Sequence, residues 1–134
     1  MLSLGNRLSL STIKNVIGSG VFSNDYSLSF DGTNDYVLCG NDSTLQITDD
    51  LTVAFWVKAD GSDNTCVVAK DDTTNRCWLI QLRSNGKIRF VVLNSNSAVT
   101  KDSGDDEYAD GDWHHVACVF DAGNNMHIYK DGSL

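Results

Sequence analysis

The sequence contains no proline, and Glu107 is its only glutamate. Without proline, every tight turn must be built by Gly, Asn, Asp and Ser. The shortage of glutamate bears directly on function. Glycoside hydrolysis by the usual route needs two carboxylates placed across the sugar bond. A glutamate pair is impossible here, and the aspartates fall in turn-like stretches where solvation and capping account for them. Apolar runs are short, and none approaches the ~18 residues of a membrane-spanning helix, so membrane insertion is not expected. Basic residues are also few: 10 Lys and Arg face 18 Asp and Glu, for a net charge of −8 and a pI near 4.5. That disfavours nucleic acid as a partner, because phosphate binding needs a basic face. Neither Cys-x-x-Cys nor His-Glu-x-x-His occurs, which argues against a structural zinc site. His114 and His115 are adjacent, and on a strand they would point to opposite faces. One packed and one exposed histidine is the expectation.

What the chain does have is 134 residues, 11 glycines and an acidic side-chain set made almost wholly of Asp. The length fits one domain with its own core. Short apolar stretches alternate with polar turns, the pattern of an antiparallel all-β protein. Strands are expected at Ser27–Phe30, Tyr36–Cys39, Leu51–Val57, Cys66–Ala69, Cys77–Leu82, Lys87–Leu93, Trp113–Phe120 and Met126–Lys130. A shorter one is expected near Ala98–Thr100. Ser84-Asn-Gly86 reads as a tight turn. In the strongest strand Leu51, Val53, Phe55 and Val57 share one face, and Thr52, Ala54, Trp56 and Lys58 share the other. Residues 1–23 stand apart as an N-terminal arm or linker, leaving 24–134 as the folded domain. The arm begins without the continuous apolar stretch of a signal peptide.

The four cysteines, Cys39, Cys66, Cys77 and Cys118, allow three full pairings. Three of them lie in apolar strand-like runs, where a free thiol behaves as a small buried hydrophobe. Centring the turn between Cys66 and Cys77 on Thr73-Thr74 sets Cys77 opposite Lys70, so a disulfide between those two is not favoured.

Several stretches carry a resemblance. They are Ser29-Phe-Asp-Gly-Thr-Asn-Asp-Tyr-Val37, Asp50-Leu-Thr-Val-Ala-Phe-Trp-Val-Lys58, Ser84-Asn-Gly-Lys-Ile-Arg-Phe90, Asp110-Gly-Asp-Trp-His-His-Val-Ala117 and His127-Ile-Tyr-Lys-Asp-Gly132. In order and spacing the chain resembles the laminin-G-like jelly-roll family of the concanavalin A-like lectin/glucanase superfamily, over about residues 24–134. The resemblance implies an antiparallel two-sheet β-sandwich. It also implies a setting in secreted, surface or bacteriophage structural proteins, and the virion or a similar extracellular assembly suits the start of this chain best. Family members continue past the Asp-Gly turn with further strands, so the sandwich is expected to be incomplete at its C-terminal side. An open strand edge is a template for association.

The function this implies is a non-catalytic module that recognises a glycan or protein surface. The alternative is a structural decoration or scaffold protein that docks on other subunits through its arm and open edge. A glycoside hydrolase or polysaccharide lyase is the weaker alternative. Trp56, Lys58 and Arg89 are the candidate carbohydrate-binding residues, although a tryptophan such as Trp56 more often fills the core between sheets. Trp78 and Trp113 are expected in the core. Calcium is the candidate cofactor. Asp31 and Asp35 flank a Gly-containing turn, and modules of this fold often hold calcium at loops near the sandwich rim.

Overall fold

Alternation of apolar and polar residues dictates the first sheet. β1 (Leu51–Lys58) pairs antiparallel with β6 (Trp113–Phe120) along its whole length, from Leu51 opposite Phe120 to Lys58 opposite Trp113. β7 (Met126–Lys130) returns along the other side of β6, giving the order β1-β6-β7. The second sheet is four-stranded, with the order β2 (Thr65–Lys70), β3 (Trp78–Leu82), β4 (Ile88–Asn94) and β5 (Ser97–Asp102). All its pairs are antiparallel, and a bulge between Cys66 and Val68 interrupts the β2–β3 ladder. The computed structural model describes residues 25–45, 47, 49–61, 64–71, 77–94, 97–104, 107–121 and 123–134. The arm expected at 1–23 lies outside them. Two compact units are present, Met1–Cys39 and Gly40–Leu134, and both sheets belong to the second. Among the described residues no helix is long and apolar enough to cross a membrane.

The two sheets bury their inner faces in one core. Ile80 and Phe90 from the four-stranded sheet and Val116 and Cys118 from β6 have no exposed surface. Removing such a side chain from water contributes roughly 1.5–3 kcal/mol for the larger aliphatics and Phe. Tyr108, from the loop before β6, is also buried in this cluster. The chain is thus an all-β, antiparallel two-sheet sandwich, as its alternation predicts.

The turn chemistry follows the residues. In the β3–β4 connection Arg83 N–H donates to the Lys87 carbonyl at 2.8 Å, and Gly86 N–H donates to the Arg83 carbonyl at 2.9 Å. Gly86 sits at φ 77°, a backbone conformation that side chains disfavour. Cys77 N–H donates to the Lys70 carbonyl, while Trp78 is the residue paired with Lys70. The connection is therefore one residue out of the symmetric expectation, and Cys66 faces Gln81 rather than Cys77.

Three expectations are corrected. Ser27–Phe30 and Tyr36–Cys39 form no strand. Their alternation is real, but a strand also needs a neighbour to take up its backbone N–H and C=O groups. In the described part of that unit none is laddered, and Tyr26, Leu28, Tyr36 and Leu38 are largely exposed. All four cysteines are free thiols, yet only Cys118 is buried; Cys39 and Cys66 are exposed and Cys77 is half-buried. Cys66 lies on an edge strand beside the bulge, where an apolar context in sequence does not become a buried one. Trp113 is the third correction. It is 48% exposed, because β6 turns it outward in step with His115. Trp78 does pack against the core.

Candidate functional site

The outward face of the three-stranded sheet is built by the same alternation that fills the core. With Leu51, Val53, Phe55 and Val57 inward, β1 presents Thr52, Ala54, Trp56 and Lys58 outward. β6 buries His114, Val116, Cys118 and Phe120 and presents Trp113, His115, Ala117 and Val119. β7 buries Met126 and Ile128 and presents His127 and Tyr129. Register then arranges these residues in rows. Lys58 lies opposite Trp113, and Trp56 opposite His115. Ala54, Ala117 and Tyr129 form the next row, and Thr52, Val119 and His127 the last.

This face is aromatic and accessible. Trp56 is 56% exposed and meets the His115 ring edge-on, with centroids 5.3 Å apart at 61°. His127 and Tyr129 lie with centroids 6.3 Å apart. Ala54 and Ala117, in line with Tyr129, occupy the row between the Trp56–His115 row and the His127 row. None of these outward residues is acidic, in a chain of net charge −8.

The candidates named from sequence are only partly brought together. Trp56 and Lys58 share this face, and Trp56 is not in the core between the sheets. Arg89 points outward from β4 on the four-stranded sheet, with the core between it and Trp56. Its Nε donates to Asp102 Oδ1 at 2.6 Å and its Nη2 to Asp102 Oδ2 at 2.7 Å, a two-pronged pair. That hydrogen bonding raises the guanidinium and holds the Asp102 carboxyl below its usual range. Asp31 and Asp35 shape their own turn. Asp31 Oδ1 accepts the Thr33 N–H at 2.8 Å, and Asp35 Oδ2 accepts the Asp31 N–H at 3.0 Å. Calcium takes six to eight oxygens, so these two carboxylates would need several more from elsewhere. Among the described residues no group of three or more His, Cys, Asp or Glu is gathered as a metal site.

Sequence reasoning missed Trp113, His115 and Tyr129 as companions of Trp56. The sequence showed that His114 and His115 point to opposite faces, but not which of them faces outward, nor the register that sets Trp113 beside Lys58 and His115 beside Trp56.

Behind the face, at the start of β6, His114 is held by two carboxylates. Its Nδ1 lies 2.8 Å from Asp131 Oδ2, and its Nε2 lies 3.0 Å from both Asp110 oxygens. An ionised carboxylate only accepts, so both contacts are hydrogen bonds when both ring nitrogens carry protons. The arrangement favours the imidazolium. Asp131 first, then Asp110, raises the His114 pKa above its ordinary value, against desolvation and the Lys130 charge. The Asp131 carboxyl is lowered chiefly by His114, then by the His115 N–H. The Asp110 carboxyl is lowered chiefly by the Asp112 N–H, then by His114.

Comparison with known proteins agrees with this architecture. A laminin G family model, described as the concanavalin A-like lectin/glucanases superfamily, matches residues 31–134. No curated protein and no solved structure gave a match. Two antiparallel sheets around one core and a family match over most of the chain agree: this protein belongs to the laminin-G-like family of the concanavalin A-like lectin/glucanase superfamily.

Proposed function

We propose that the domain is a non-catalytic carbohydrate-binding module whose sugar-stacking surface is the outward face of β1, β6 and β7. The observation that carries this is the presence of two half-exposed indoles, Trp56 and Trp113, at diagonal positions on one regular strand face. A pyranose ring has an apolar C–H face that stacks on such rings, and Lys58 and His115 lie in the same rows to take its hydroxyls. Rigid strands hold the rings in place before any ligand arrives, which limits the entropy lost on binding. The non-catalytic part rests on Glu107 being the only glutamate, in an exposed loop. The setting proposed is a virion or other extracellular assembly. A glycan array, run with calcium and with chelator, tests the reading. Binding that is lost in Trp56→Ala supports it, and no binding under either condition removes it. Binding that needs calcium, and that Asp31→Asn or Asp35→Asn abolishes, would place the ion at that turn.

One observation favours a second reading, a docking role within an assembly. Tyr26, Leu28, Tyr36 and Leu38 are 70–89% exposed within a short stretch of the first unit. Apolar surface on this scale favours cover by a partner subunit. Mass measurement in solution tests it, and a monomer at every concentration tried counts against it.

A further inference from the structure

We infer that Asp131 and His114 are the positioning residues of the Trp56–His115 face: the doubly bonded imidazole fixes Asp131, and Asp131 fixes the backbone that carries His115. The argument begins in the turn after β7. Asp131 adopts φ 50°, which non-glycine residues seldom do, and Gly132 follows at φ 83°. The turn is closed by Ser133 N–H to the Lys130 carbonyl at 2.8 Å and Lys130 N–H to the Ser133 carbonyl at 2.9 Å. This bend points Asp131 back at β6 just beyond the last regular pair, Val116 with Lys130. There it takes both backbone groups of one residue. Its N–H donates to the His115 carbonyl at 2.9 Å, and its Oδ1 accepts the His115 N–H at 2.8 Å.

One side chain thus completes the strand ladder at the residue whose ring meets Trp56. The other oxygen of the same carboxylate, Oδ2, is the one bonded to His114 Nδ1. Rotation of the carboxylate would break both bonds together, so His114 holds His115 through Asp131. Asp-Gly with both residues at positive φ is the usual pair for a two-residue hairpin turn, and here that turn also aims the Asp131 carboxylate at β6. The groups that face the His114 ring are Asp110, Asp131, Lys130 and Tyr108, whose ring lies 6.1 Å away edge-on. Lys130 is drawn aside to the Glu107 carbonyl and over the Tyr108 ring.

Loss of the His114 proton leaves one ring nitrogen as an acceptor against a carboxylate. The clasp then loosens at Asp131 or at Asp110, and loosening at Asp131 reaches His115 and Trp56. The inference concerns the face assigned above to glycan, but its test needs no ligand, so the two can fail separately.

The test is a pH titration of the ¹⁵N-labelled chain by NMR. It follows the His114 and His115 ring resonances, the His115 amide and the Trp56 indole N–H. The expected result is that the His115 amide and the Trp56 indole both move with the His114 midpoint. Asp131→Asn keeps an acceptor for the His115 N–H and tolerates the same backbone angle, and it should suppress that component while the fold persists. His114→Gln should remove it. If the His115 amide does not respond at the His114 midpoint, or the indole follows the His115 midpoint alone, the inference is overturned. The unsubstituted chain decides this even where a variant fails to fold.

Discussion

His114 Nε2 stands 3.0 Å from both oxygens of Asp110, four residues earlier in the chain, so the loop entering β6 is tied to the strand it introduces. This pair, with Asp131 on the other nitrogen, gives stability a pH dependence whose sign is fixed. His114 is raised above 6.5, so its contribution is complete below that pH and is lost as pH rises through the folded value. Asp110 and Asp131 are lowered from 3.8, so theirs is present above that pH and is lost as pH falls through the folded values. Thermal melts across pH should therefore show a maximum in the weakly acidic range. His114→Gln should flatten the alkaline side of that maximum. Equal melting temperatures for the two proteins at every pH would contradict the assignment.

The core should respond as a single unit. Phe90 has no exposed surface and belongs to the cluster shared by both sheets. Phe90→Ala should cost about 3–5 kcal/mol through lost burial and the cavity left behind. Thr52→Ala, on the exposed side of β1, should stay within about 0.5 kcal/mol. Urea denaturation of the two variants measures the difference.

Two outward residues separate binding from stability. Trp56→Ala should abolish glycan binding while costing about 0.5–1.5 kcal/mol, the scale of its ring contact with His115. Arg89→Ala removes only a partly exposed ion pair on the other sheet, about 0.2–1 kcal/mol, and should leave glycan binding unchanged. Affinity measurements beside melting curves would show this. Equal loss of binding in both variants would refute the placement of the site.

The cysteines should differ in reactivity. Burial pushes the Cys118 thiol up to about 12, and burial followed by the Asp71 charge raises Cys66. Alkylation at neutral pH should modify exposed Cys39 first and Cys66 more slowly. Cys118 should react only once denaturant is added. Peptide mapping after timed labelling gives the order.

The sheets were legible where one face had to be buried. The strands at Leu51–Val57, Trp113–Phe120 and Met126–Lys130 follow from their apolar residues, but only Leu51–Val57 shows a clean parity. Trp113–Phe120 is apolar on both faces, which is why Trp113 was expected in the core. Parity set Trp56 on the face opposite Val53 and Phe55, but it could not say which of the two faces meets the second sheet, and a tryptophan there more often fills the core. Arg89 illustrates the other limit. Sequence shows a cation on a strand, while its sheet and its Asp102 partner come from pairings thirteen residues apart. Ser27–Phe30 and Tyr36–Cys39 show that alternation records the capacity for a strand, and only a neighbouring backbone makes one. The His114 clasp was hidden for a similar reason. It joins Asp110 and Asp131 across the β6–β7 hairpin, and its form depends on the left-handed backbone of Asp131.

The bulge between Cys66 and Val68 lies on the outermost described strand of the four-stranded sheet, where another chain would have to pair. A flat edge strand offers its backbone to any passing chain, and such lateral zippering is a common start of precipitation. Among the described residues, the four-stranded sheet ends in the bulged β2 on one side. On the other side it ends in β5, which carries Lys101 and Asp102 on consecutive positions. A kinked border and a charged one both discourage edge-to-edge growth of that sheet. Filling the kink by deleting Val67 should lower the concentration at which the protein first clouds.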